Sequence, residues 1–200
     1  SPLKNYGKLS GFTSNDLYID YPKRNKITDD AKERITDDIS EFEEALYAGT
    51  NDLAGRYEEY IDVDNFSDYV IINEFALNHD AGLLSTYAYK ELGGKLCMAV
   101  WDYNNSFDNY QWFSMDKNSF YITEAPWFDR LLADPSFAEN VVSRYRSLRE
   151  STLSDEHIDE VLSCGETLIA EAAARNFSVW EYTFHINLMN DDNGVERDIS

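Results

Sequence analysis

Two aspartates, Asp80 and Asp102, stand at positions where carboxylates can do chemistry. Asp80 comes three residues after a predicted helix that ends in "NEFAL", and Asp102 follows the apolar run "LCMAVW". A predicted β-hairpin separates the two acids. Because the strands of a hairpin are antiparallel, the start of the first strand and the end of the second lie at the same edge. We therefore expect Asp80 and Asp102 to be neighbours in one cleft.

Amide side chains accompany these acids at Asn78, Asn104 and Asn105. Carboxylate and amide oxygens bind hard cations such as Mg²⁺, which retains waters that phosphate oxygens can replace. An acid that holds Mg²⁺ beside a second acid that orients a hydroxyl is an arrangement used in phosphoryl transfer. A structural alternative stays open at this point. Aspartate is common in turns and helix caps, and among 38 acidic residues such a pair arises easily by chance.

The elements that position the acids follow from hydrophobic periodicity. Apolar residues at steps of three and four predict one helix that begins at the N-cap Thr28. A second helix is predicted from about Asp64, its cap, to Leu77. Period-two segments over 84–90 and 95–101, joined by the turn "ELGG", predict the hairpin. In this hairpin Trp101 is expected to be a buried core residue.

The rest of the chain is predicted to be mostly helical. The segment "DLYIDY" over 16–21 is the exception and predicts a short strand. Pro126 is predicted to start a short helix, Asp134-Pro135 another that reaches about Glu150, and Ser154 caps a further one. The fold class expected is α+β, mostly helical, with a small antiparallel β-hairpin that carries the site.

Composition limits the possible functions. The 200 residues are 43% hydrophobic, enough for a substantial core in one domain. The formal net charge of -21 argues against direct binding of nucleic acid or anionic lipid, because phosphate contacts require Lys or Arg. No segment is long and apolar enough for a membrane span. The two cysteines, Cys97 and Cys164, do not form a disulfide scaffold, although one bridge between them stays open.

The segment from Tyr60 to Asn109, which includes "NEFALNHDAGLLSTYAYKELGGKLCMAVWDYNNSFDN", resembles the CotH kinase family. That family is named for a bacterial spore-coat protein and has a distantly kinase-like fold. Weaker similarities lie in "ITDDAKERITDDISEFEEALYAG" before it and "APWFDRLLADPSFAENVVSRYRSLR" after it. The resemblance implies phosphorylation of Ser or Thr in a protein substrate, with ATP and Mg²⁺ or Mn²⁺ as cofactors. It assigns the catalytic acid to Asp80 and metal binding to Asp102. Among the nearby amides, Asn104 is expected to be a further metal ligand.

The chain departs from the family pattern in two respects. Members usually carry glycine where this chain has Asp108, in "WDYNNSFDN". No counterpart of the β-rich N-terminal lobe, with its ATP-binding lysine, is found. We therefore expect residues 1–200 to be a single CotH-like domain that is incomplete at both ends, equivalent to the C-terminal lobe. Such a piece is expected to be inactive alone, with kinase activity in the longer protein.

Two other functions stay open. One is a non-catalytic binding module that keeps the CotH fold and acts at a surface. The other is a glycosidase that uses two acids about 5 to 9 Å apart. The acidity and low lysine content predict an extracellular or cell-surface location, and the resemblance to the CotH family adds the spore surface as an alternative. Any domains that attach the protein to a surface are expected to lie outside this chain.

Overall fold

The computed structural model describes residues 17–23, 25–47, 56–109 and 115–184. This part is α+β and mostly helical, as the sequence predicted, with one two-stranded antiparallel sheet. The order along the chain is α1 (Asp29–Tyr47), a 3₁₀ turn (Arg56–Glu59), α2 (Val63–Phe75), β1 (Tyr87–Lys90), β2 (Leu96–Ala99), a 3₁₀ turn (Ile122–Glu124), α3 (Phe128–Leu131), α4 (Pro135–Arg149) and α5 (Asp155–Phe184).

Two of the three helix caps predicted from the sequence form, and Asp134 caps the helix that was predicted to start at Asp134-Pro135. Thr28 Oγ1 accepts a hydrogen bond from the Ala31 amide, and Asp134 and Ser154 accept amide hydrogen bonds at the starts of α4 and α5. The prediction that Asp64 caps α2 is wrong. The cap is Asp62, whose backbone is extended and whose Oδ1 accepts from the Asn65 amide at 3.0 Å. Both aspartates are chemically able to cap, so the backbone conformation decides which one does.

The β-hairpin is present but shorter than predicted. Four residues of each strand pair, from Tyr87 opposite Ala99 to Lys90 opposite Leu96. Leu96 and Met98 point into the core, whereas all of β1 is exposed. The prediction that Trp101 is buried is wrong, because its side chain is 63% exposed. It lies beyond the last paired residue, where its ring makes an edge-to-face contact with Tyr87.

The short strand predicted over 16–21 does not form. Over 17–21 the chain is not a strand, since among these residues only Tyr18 makes a β-bridge, and Asp16 lies outside the described residues. Helix α5 forms, but its apolar residues Val161, Leu162, Leu168 and Ile169 are exposed.

Both cysteines are free thiols, Cys97 half-buried in β2 and Cys164 exposed on α5. Within the described part, no helix is long and apolar enough to cross a membrane.

An aromatic core holds the helices together. Phe42 of α1 contacts Phe66 of α2 and Trp127 edge-to-face, while Tyr69 of α2 stacks on Phe128 with ring centroids 5.5 Å apart. All five of these side chains are at least 95% buried. Such aromatic pairs add stability beyond the area that they bury. The core therefore fixes α2, the helix that leads into Asp80.

Strand β2 is attached to the start of α2 by polar contacts. The amide side chain of Asn65 accepts from the Met98 amide at 2.6 Å and donates to the Met98 carbonyl at 3.3 Å. The backbone amides of Asp62 and Leu96 also donate across the two segments, to Leu96 and Tyr60 respectively. Because these bonds join α2 to β2, they also fix the position of the loop after α2 relative to the loop after β2.

Candidate active site

The loop that carries Asp80 begins where α2 ends. Asn78 is buried, and its backbone amide donates to the Asn73 carbonyl at 2.9 Å. Its side-chain amide donates to Asn73 Oδ1, also at 2.9 Å. These bonds turn the chain at the C-terminus of α2 and place His79 against the ring of Tyr121. The side chain of Asn78 therefore stabilises the turn, and it is not an exposed amide that a ligand could contact.

Beyond Asp80 the loop is tightly packed. The backbone amides of Leu83 and Leu84 both donate to the Asp80 carbonyl, and the Gly82 amide donates to Thr86 Oγ1. Gly82 has φ +78°, and a Cβ added there would lie 2.4 Å from the Cβ of Ala125. Only glycine fits this position, because it tolerates the left-handed backbone and adds no atom to the contact.

The second loop, residues 102–109, follows β2 and is tied to the end of α2. The Phe107 amide donates to the Ala76 carbonyl at 2.6 Å, and the Tyr103 hydroxyl donates to Asn73 Oδ1 at 2.9 Å. Burial raises the pKa of Tyr103 to about 12, so the phenol remains a neutral donor at physiological pH. The two loops thus share Asn73 of α2 as an anchor.

The two loops exchange hydrogen bonds through their acids. Asn105 Nδ2, in the second loop, donates to Asp80 Oδ2 in the first at 3.0 Å. Ser85 Oγ, in the first loop, donates to Asp102 Oδ2 in the second at 3.1 Å. Each acid is therefore held by a polar side chain from the opposite loop. Asp80 is partly exposed and Asp102 is exposed, so both carboxylates are accessible from solvent.

Left-handed backbone conformations are concentrated in the same loops. Five non-glycine residues there have positive φ, namely Leu77, Ser85, Asp102, Phe107 and Asp108. Residues in this conformation cost on the order of 1 kcal/mol each and persist only where the surrounding structure imposes them. Such strain is typical of functional sites and supports a candidate site at this position.

Asp108, which replaces the usual glycine of the CotH pattern, keeps a conformation that glycine adopts easily. Its φ is +62°, a value that aspartate tolerates better than most residues. Its Oδ1 accepts a hydrogen bond from the backbone amide of Met115 at 2.7 Å. In this chain the carboxylate of Asp108 therefore braces the loop against the segment that contains the buried Met115.

The second residue expected at the metal is Asn104. It is exposed, its Nδ2 donates to Asn105 Oδ1 at 3.4 Å, and its carbonyl accepts from Asn109. Among the described residues, no group of three or more His, Cys, Asp and Glu side chains is close enough to hold a metal ion. A cation at this site would therefore depend on Asp102, the amide of Asn104 and ligands from outside the chain.

Sequence reasoning missed two residues of this arrangement. The sequence analysis assigns Ser85 no role, and its contact with Asp102 is not expected from the local sequence. Gly82 was not singled out. For Ser85 a signal is present in its spacing, five residues after Asp80. For Gly82 the decisive contact is with Ala125, 43 residues away, and no local pattern reveals it.

The fold and the acid-bearing loops define an α+β domain, mostly helical, with two carboxylates at one edge of a hairpin. The family model described as CotH kinase protein matches residues 4–196, nearly the whole chain. The chain therefore belongs to the CotH kinase family. The same comparisons find no match among curated proteins or solved structures.

Proposed function

We propose that this chain supplies the catalytic acid and the metal-binding acid of an ATP-dependent protein kinase of the CotH type. The phosphoacceptor is Ser or Thr of a protein substrate, and transfer requires an ATP-binding segment that is not recognised within these 200 residues. The observation that carries the proposal is the exchange of hydrogen bonds between the Asp80 loop and the Asp102 loop. These bonds hold two solvent-accessible carboxylates in loops with strained backbone, and the chain belongs to the CotH kinase family.

The donor groups near Asp102 fit a hard divalent cation. Asp102 and Asn104 are both exposed and offer oxygen ligands, the kind that Mg²⁺ and Mn²⁺ prefer. In phosphoryl-transfer sites one or two carboxylates suffice, because water and ATP phosphates complete the coordination. Asp102 and Asn104 would hold the ion, which when bound neutralises charge on the ATP phosphates.

Asp80 has the second role, that of orienting the acceptor hydroxyl and taking up its proton. Its Oδ2 accepts the hydrogen bond from Asn105, which fixes the plane of the carboxylate. A fixed carboxylate favours one direction of approach for a Ser or Thr hydroxyl. Since phosphoryl transfer depends mainly on positioning and electrostatic stabilisation, this orientation is the main contribution that the acid can make.

The chain by itself lacks a recognised group for the phosphate tail of ATP. Its sequence has no glycine-rich loop with a phosphate-binding lysine, and its formal charge of -21 repels an anionic nucleotide. We therefore expect the 200 residues to bind a divalent ion weakly and to transfer phosphate at no useful rate. A location at the cell or spore surface belongs to this proposal as well.

A non-catalytic surface module is the second candidate, and Asp108 is the observation that favours it. An acid at the usual glycine position is compatible with a site that has lost its reaction but kept its loop. The proposed kinase and this module make opposite predictions for nucleotide-dependent transfer.

Transfer from radiolabelled ATP to a Ser-rich acceptor, with Mg²⁺ or Mn²⁺, separates the two candidates. Three proteins are compared: the 200 residues, a version extended by whatever native residues precede Ser1, and the extended version with Asp80→Asn. Transfer by the extended protein alone would support the kinase and the role of Asp80. Silence from all three would favour the non-catalytic module, and strong Asp80-dependent transfer by the 200 residues would show that they bind ATP unaided.

A further inference from the structure

Ser85 is the residue in the site whose role remains unassigned. Its hydroxyl donates to Asp102 Oδ2 at 3.1 Å, across 17 positions of the chain. Its backbone has φ +47°, although serine has no strong preference for the left-handed region. A serine that is both strained and bonded to the expected metal acid indicates a role beyond the loop itself.

The environment of Ser85 shows that the bond is built by the fold. Thr86, the next residue, accepts from the Gly82 amide and donates to the Leu84 carbonyl, which closes the turn around Ser85. Gly82 in turn packs on Ala125. The position of the Ser85 hydroxyl is thus determined by a compact turn, while the side chain itself is exposed and contributes little to the core.

The spacing of Ser85 from Asp80 supports the same role. In the catalytic loop of protein kinases, the catalytic aspartate is followed five residues later by an asparagine that contacts a metal ion. Ser85 stands five residues after Asp80. In this chain a shorter hydroxyl side chain occupies that position and reaches the metal acid instead.

We propose that Ser85 is a positioning residue that orients the Asp102 carboxylate for a divalent cation. The inference rests on the proposed function, since it assumes that Asp102 binds the ion. By donating to Oδ2, the hydroxyl holds the plane of the carboxylate and directs its free lone pairs to one side. Groups that orient metal ligands in this way typically change metal affinity about 10- to 100-fold when they are removed.

Mn²⁺ binding to the 200-residue chain tests this role without any need for activity. The free Mn²⁺ signal in electron paramagnetic resonance is titrated for the wild type, Ser85→Ala, Ser85→Gly and Asp102→Asn. We expect both Ser85 variants to bind about 10-fold more weakly and Asp102→Asn to lose binding. Ser85→Gly also removes the backbone strain, so its unfolding temperature should equal or exceed that of the wild type while its affinity falls. A merely structural serine would not produce weaker binding together with undiminished stability.

Ser119→Ala is the matched control, because Ser119 Oγ donates to Asp116 Oδ2 at 3.0 Å in an exposed loop outside the site. It should bind Mn²⁺ like the wild type. Loss of binding in Asp102→Asn with wild-type affinity in both Ser85 variants would overturn the role of Ser85 and leave the proposed metal site standing. Wild-type affinity in Asp102→Asn would overturn the metal site itself, and the Ser85 inference with it.

Discussion

Asn105 Nδ2 donates a hydrogen bond to Asp80 Oδ2 at 3.0 Å, which joins two residues that lie 25 positions apart in the chain. Asp80 follows helix α2 and Asn105 follows strand β2. The bond therefore links the ends of two different elements, and it gives the proposed catalytic acid a defined orientation that its own loop does not supply.

Asn105→Ala should lower the rate of phosphoryl transfer by the extended protein about 100-fold, since small misplacements of a catalytic group have effects of this size. Mn²⁺ affinity should fall much less than the rate, because the substitution leaves Asp102 and Ser85 in place and removes only the 3.4 Å contact between Asn105 and Asn104. Steady-state kinetics and Mn²⁺ titration measure the two effects. Asn140→Ala removes an amide that contacts Asp64 and Ser67 away from the site and serves as the control. Equal rates for wild type and Asn105→Ala would argue against an orienting role.

Gly82→Ala should destabilise the protein by about 2 to 4 kcal/mol, the sum of left-handed backbone strain and overpacking against Ala125. Gly93→Ala is a matched control. Gly93 has a similar φ of +75° but nothing within 4 Å of an added Cβ, so its cost should be about 1 kcal/mol. Urea denaturation of both variants measures the difference. Equal costs for the two would mean that the contact with Ala125 is unimportant.

Trp101→Ala should cost no more than about 1.5 kcal/mol, because the exposed ring contributes one aromatic pair with Tyr87 and little burial. Phe128→Ala should cost about 3 to 5 kcal/mol, since that ring is 1% exposed and packs among Phe66 and Tyr69. Thermal and urea unfolding compare the two. A loss for Trp101→Ala as large as that for Phe128→Ala would place Trp101 in the core, in conflict with the hairpin described above.

The stability of the protein should fall as the pH rises through the titration of Glu43. Burial raises the pKa of Glu43 above its ordinary value of 4.5, although Trp127 Nε1 donates to its Oε1. Between 4.5 and the folded-state pKa, the folded protein binds more protons than the unfolded chain. The contribution of Glu43 to the free energy of unfolding is therefore largest at low pH and is lost across that window.

Urea denaturation of wild type and Glu43→Gln at several pH values measures this effect. The free energy of unfolding of the wild type minus that of Glu43→Gln should decrease as the pH rises above 4.5. Glu44→Gln is the control. It removes one carboxylate at an exposed neighbouring position on α1 and so measures the effect of the lost charge alone. A difference that increases with pH would contradict the sign of the shift.

Local sequence signals determined the helices and the hairpin. Pro135 after Asp134 predicted the start of α4, and Ser154 predicted the start of α5, because capping depends on a side chain and the amides two or three residues ahead. The turn "ELGG" between two period-two segments predicted the hairpin for a similar reason. The motifs around Asp80 and Asp102 also predicted membership of the CotH kinase family, which the family model confirms.

Only the tertiary structure decided what surrounds these elements. Trp101 is apolar and continues an apolar run, but β2 ends at Ala99 and the core covers only Leu96 and Met98, so the ring is exposed. Asp62 caps α2 instead of Asp64 because its backbone is the extended one. The bonds from Ser85 to Asp102 and from Asn105 to Asp80 span 17 and 25 positions. Contacts of this range depend on the hydrogen bonds that join α2 to β2, and local hydrophobic periodicity does not predict those bonds.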